Sequence, residues 1–193
     1  MAMSRFEFAF VASGIDPEEE FEDRFFDAGC QDATLAFMNG RLVALFAREA
    51  ESYAHAVHSA YRAMIEAGAT VERFEPDYLV NRNEIAARCI ITKQAVSLYA
   101  SNQRGAGFPA PVARVTTKSP LWDWVEVARW FHDKGKLPLA EVEHARIGRA
   151  VNLHLVATRA VPVPERLFMD DLSKVLAGGD EINPCTDSSP VPS

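Results

Sequence analysis

Apolar and polar positions alternate near the start of the chain. Phe6, Phe8 and Phe10 are separated by Glu7 and Ala9, the period-2 pattern of a strand with one buried face. Asp16-Pro17 then reads as a helix start, Asp as the N-cap and Pro in the first turn, with Glu18, Glu19 and Glu20 near the positive end of the dipole. Phe21, Phe25 and Ala28 form its apolar stripe, and Gly29 closes it. Residues 33–38 and 41–47 read as strands joined at Asn39-Gly40, a strong two-residue hairpin signal. A helix over 50–67, ended by Gly68, and a fourth strand over 70–74 complete the series. The order βαββαβ predicts a ferredoxin-like domain, four strands covered on one face by two helices. Its other face is left to pair with a second copy or to bind a ligand, and the fold alone does not say which.

Pro76-Asp77 breaks this pattern and places a domain boundary after residue 77. The next stretch, 82–101, has its apolar residues at Ile85, Ala86, Cys89, Ile91, Val96 and Tyr99. That spacing predicts a short helix over 83–89, a tight turn over 90–92, and a second helix over 93–100 capped by Thr92. A small residue, Ala86, stands where the two helices cross. Further on, Pro109 and Pro111 set an extended entry, and residues 112–119 alternate as a hairpin with a short polar tip. Asp123 caps a helix with Trp124, Val127, Ala128 and Phe131 inward. Residues 138–160 read as one long helix with Leu139, Val142, Ala145, Val151 and Leu155 inward, and 164–177 as a shorter one. Residues 179–193 are polar and rich in Pro and Ser, the composition of a disordered tail. The predicted class is α+β, divided as 1–77, 78–137, 138–178 and 179–193.

Charge sharpens the picture. The net charge of -7 argues against nucleic acid only as an average. Residues 1–78 hold 6 Lys/Arg against 15 Asp/Glu, residues 79–137 hold 9 against 4, and residues 138–193 hold 5 against 8. A basic middle between acidic ends is the footprint that phosphate binding needs. In a helix-turn-helix the second helix enters the major groove, and here the candidate DNA contacts are Thr92 at its start and the outward residues Lys93, Gln94 and Ser97. Gln pairs bidentately with adenine, Ser and Thr meet several base edges, and Lys serves guanine or phosphate. Arg104, Arg114 and Lys118 fall on the loop and hairpin, where they reach the backbone without reading sequence.

These residues carry a family resemblance. Asn83-Glu84-Ile85-Ala86, Thr92 to Ser97 (TKQAVS), Gly107 to Pro111 (GFPAP), Leu121-Trp122 and Val125 to Trp130 (VEVARW) resemble the winged helix-turn-helix of MerR and AlpA-like bacterial and phage regulators. The resemblance spans residues 79–137. It implies a DNA-binding module in which the GFP stretch leads into a two-stranded wing and the Trp-rich helix packs behind it. One position departs from the pattern: Ile90 stands where glycine is usual, and a β-branched side chain is costly there if φ is positive.

Competing chemistry is thin. His55 and His58 share a helix face near Glu51, but no HExxH pattern or further ligand cluster accompanies them, so no metal is expected. Cys30, Cys89 and Cys185 are widely spaced, with no CxxC pair. No nucleophile triad or phosphate-cradling glycine loop is present, and neither an enzyme nor a cofactor is expected. No apolar run is long enough to span a bilayer, and the N-terminus lacks a signal-peptide pattern, so a cytoplasmic location is expected. The expected function is a transcriptional regulator binding double-stranded DNA as a homodimer. The alternative is an antitoxin or accessory protein that docks a partner at its acidic N-terminal domain or C-terminal helices.

Overall fold

In the computed structural model, which describes residues 3–160, β1 is Ser4–Ser13. Its Phe8, Phe10 and Ala12 are buried, while Glu7 on the opposite face is exposed. α1 is Glu22–Asp27, shorter than expected at its start. Asp16 is used in a local turn: its Oδ1 accepts from the Glu18 amide at 2.9 Å and its carbonyl from Glu19 at 3.3 Å. The helix begins only at Glu22, next to the buried Phe21 and Phe25.

β2 (Ala33–Met38) and β3 (Arg41–Ala50) are joined at Asn39 and Gly40, whose φ angles are 51° and 74°. Two successive positive values match the handedness of paired strands, which explains the Asn-Gly choice. α2 is Tyr53–Glu66, capped by Ser52, and β4 is Thr70–Glu75. The four strands form one antiparallel sheet in the order β2-β3-β1-β4. Phenylalanines from the three neighbouring strands β3, β1 and β4 meet under the helices: Phe8 lies 5.5 Å from Phe46 and Phe10 5.3 Å from Phe74. Arg48 is buried in this layer. It binds both carboxylate oxygens of Asp32 at 2.8 Å and also reaches the Gly29 carbonyl and Ser59, tying β3 to α2 and to the loop after α1. The opposite face of the sheet exposes Met38 by 56% and Leu45 by 49%.

A second core follows. β5 (Leu79–Val80) pairs with β6 (Trp122–Asp123). α3 (Arg82–Arg88), α4 (Lys93–Ala100) and α5 (Trp124–Asp133) pack around Val80, Ile85, Val96, Trp122 and Phe131. Asp123 caps α5 by accepting from Val125 at 2.8 Å. The expected hairpin over 112–119 is corrected to a loop closed by the single bridge between Ala113 and Leu121. Its tip is a turn in which Thr117 donates to the Arg114 carbonyl through both its amide and its hydroxyl, at 2.9 Å each. The physical reason is burial: Val112 and Val115 are 51% and 62% exposed, so alternation here has no core face to serve.

α6 (Leu139–Ala160) joins the two cores. Val142 and Ala145 belong to the second, and Ile147, Ala150, Val151 and Leu155 to the first. Leu139, expected inward, is exposed, and Leu137 packs in its place just before the helix. Asn152 lies against the free edge of β4: its Oδ1 accepts from the Phe74 amide and its Nδ2 donates to the Phe74 carbonyl, both at 2.9 Å. Among the described residues no helix is long and apolar enough to cross a membrane. The expected helix over 164–177 and tail over 179–193 lie outside the described residues.

Candidate nucleic-acid interface

α3 begins with a reciprocal cap. Asn81 Oδ1 accepts from the amides of Asn83 and Glu84 at 2.8 and 3.2 Å, and Glu84 Oε2 accepts from the Asn81 amide at 2.6 Å. The helix ends in a turn that places α4 across it. Ile90 donates to the Ala87 carbonyl at 3.2 Å and Ile91 to the Ala86 carbonyl at 2.9 Å, with Ile90 at φ 53°. This is a Schellman closure. The same pair of bonds ends α1, α2, α4 and α5, where Gly29, Gly68, Asn102 and Gly135 hold the left-handed position. Of these five helices only α3 puts a β-branched residue there, and its side chain is 93% exposed, so no packing offsets the strain. Ile91, the next residue, packs on the second core and fixes the turn. Ile90→Gly is expected to stabilise the fold by about 1 kcal/mol in urea denaturation, strain relief outweighing the added freedom of the unfolded chain.

α4 occupies the span that the apolar spacing predicts, and Val96 and Tyr99 are buried beneath it. Thr92 caps it, its hydroxyl accepting from the Ala95 amide at 3.1 Å. Lys93 and Gln94 are exposed on its first turn. Ser97 is half-buried and donates to the Lys93 carbonyl at 3.0 Å, which leaves its oxygen as an acceptor. Lys93 and Lys118 are brought together. They line one polar pocket of about 170 Å³ with Asn81, Arg82, Asn83 and Ser119. Arg82 was not singled out by sequence reasoning. Its guanidinium lies 5.6 Å from the centre of the Trp122 ring, and its Nε is enclosed without a hydrogen-bond acceptor among the described residues. The signal that points to it is the Asn-x-x-Glu capping pattern at 81–84, which fixes where the first turn of α3 stands.

Arg104 and Arg114 fall elsewhere. Arg104 lies at the far end of α4, over the Tyr99 ring at 5.4 Å. Lys136 sits on that ring too, its Nζ donating to the Tyr99 hydroxyl at 2.7 Å, and Lys134 lies over Trp130. Arg114 is exposed in the loop turn with φ 51°. The path between α4 and that loop is pinned by two indoles: Trp130 donates to the Ala106 carbonyl at 3.2 Å and Trp122 to the Pro109 carbonyl at 3.1 Å. Glycine suits position 105, where φ is 70° and a Cβ would stand 3.1 Å from the Trp130 ring, a tight contact. Cys89, at the end of α3, is not a reactive group: burial pushes its thiol up to about 12, so it stays protonated at neutral pH.

The arrangement presents a helix end with an exposed amide and ammonium, flanked by a three-cation pocket suited to an anionic oxygen. Compared with protein-family models, curated proteins and solved structures, the chain finds no significant match in any of the three.

Proposed function

We propose that this chain is a sequence-reading regulator of double-stranded DNA, acting as a homodimer in the cytoplasm. In this reading α3 and α4 form a helix-turn-helix, with α4 as the recognition helix and the loop over 112–121 as a reduced wing. Gln94 and Ser97 meet base edges, and Arg82, Lys93 and Lys118 hold the backbone. The observation that carries the reading is the convergence of those three cations on one polar pocket beside the first turn of α4. Phosphate oxygens are the acceptors such a pocket suits, and both flanking elements then face the same duplex. The βαββαβ order with strand order β2-β3-β1-β4 supports taking the N-terminal half as ferredoxin-like.

The test is fluorescence anisotropy of the full chain on the DNA flanking its own gene and on random duplexes, over a range of salt. Binding that weakens steeply with salt and prefers the flanking DNA is expected. Gln94→Ala is expected to bring the two affinities to within a few-fold of each other while leaving the salt slope unchanged, a loss of order 1–3 kcal/mol in discrimination. Absence of binding at low salt overturns the reading. In that case the exposed Met38 and Leu45 on the outer sheet face favour the second reading, an antitoxin or accessory protein that docks a partner through its N-terminal half.

A further inference from the structure

Where the sheet, α3, α5 and α6 meet, a cavity of about 350 Å³ lies at the junction of the two cores. Aromatic rings from both halves line it: Tyr53 and Phe74 from one, Tyr78 and Trp124 from the other. Beside it, within the second half, the Trp124 amide donates to the Tyr78 carbonyl at 2.7 Å. Its charged lining is Glu7, Glu141 and Arg88. Arg88 is already engaged. Its Nη2 donates to the Asp77 carbonyl at 2.8 Å, its guanidinium lies over Trp124 at 5.0 Å, and the carboxylates of Glu84, Asp77 and Glu75 surround it as well as that of Glu141. His144 lies tilted against Tyr53 with ring centroids 4.0 Å apart, and burial lowers its pKa and so favours its neutral form, though Glu141 and Glu143 oppose this. The balance left on the walls is negative and aromatic.

We propose that this cavity binds a small organic cation, an amine carried on an apolar or aromatic body. The aromatic faces and the carboxylates of Glu141 and Glu7 both favour a positive charge in the ligand. The volume lies at the small end of ligand pockets, which suits a single ring with a short chain. Among the described residues an organic acid would find only Arg88, and would sit beside two carboxylates to reach it. Binding here stands apart from the DNA reading, whereas its meaning as effector control rests on that reading.

The probes are phenethylamine and 3-phenylpropionate, which share a ring and a short chain but differ in charge. Each is titrated calorimetrically into the full chain without DNA, so a negative result here says nothing against DNA binding. Saturable binding of the amine and none of the acid is expected. Glu141→Gln is expected to weaken the amine on the order of tenfold with thermal melting unchanged. Glu18→Gln, on the exposed turn before α1, is expected to leave binding as it was. Stronger binding of the acid, no binding of either at millimolar concentration, or an unchanged affinity in Glu141→Gln overturns the proposal.

Discussion

Replacing Arg82, Lys93 and Lys118 together by glutamine is expected to weaken duplex binding on the order of a hundredfold at about 0.1 M salt and to flatten the salt slope by about three. Each cation that neutralises a phosphate releases condensed counterions, so each removal should cost roughly one unit of slope. The three line one pocket, and therefore act on one short stretch of backbone. Arg114 does not line that pocket, so Arg114→Gln is expected to change the slope less than Lys118→Gln does. Random and preferred DNA should lose affinity in the same proportion, in contrast with Gln94→Ala. Circular dichroism checks the fold. Lys93 and Lys118 are exposed, and the stem of Arg82 keeps a glutamine-sized body over Trp122. An unchanged slope in the triple variant would remove the backbone role from this pocket and with it the carrying observation.

Asn152→Ala is expected to destabilise the chain by about 3 kcal/mol. β4 is the edge of the four-stranded sheet, and among the described residues the side of Phe74 facing away from β1 has no strand to bond. The Asn152 amide, 1% exposed, satisfies that amide and carbonyl together. Alanine leaves both without a partner in a buried place, and each such loss costs about 1–3 kcal/mol. Asn152→Asp discriminates the cause. It retains an acceptor for the Phe74 amide but sets a carboxylate against the carbonyl, so it is expected to destabilise at neutral pH and to recover as pH falls through its raised pKa. Urea denaturation followed by circular dichroism measures both, with an unchanged m-value marking an effect on the native state. A loss below about 0.5 kcal/mol in Asn152→Ala would mean that the edge groups find other partners.

How far the chain could be read without coordinates follows from where each determinant lies. The strands were legible because alternation such as Phe6-Phe8-Phe10 is local and one face is buried. The ends of α4 were legible because its apolar spacing is local as well, whereas Ile90 stood out through the resemblance, as the residue found where that pattern has glycine. The hairpin over 112–119 was misread because alternation has the same form whether or not anything covers it. Arg82 and Asn152 escaped because their partners, Trp122 and Phe74, are distant in the chain. Lys93 and Lys118 were each visible, but their meeting around Arg82 depends on how the loop folds back. The cavity at the junction was out of reach altogether, since its walls come from both cores and α6.

One more consequence concerns the exchange of parts. α6 supplies Val142 and Ala145 to one core and Ile147, Ala150, Val151 and Leu155 to the other, so no crossover point leaves both halves whole. A graft that takes residues 78–137 alone strips its donor helix face from the second core, and one that extends through α6 bares the edge of β4 in what is left behind. Shuffling of this chain with others, by recombination or by design, is therefore constrained to carry α6 with both partners or to reinvent one of its faces.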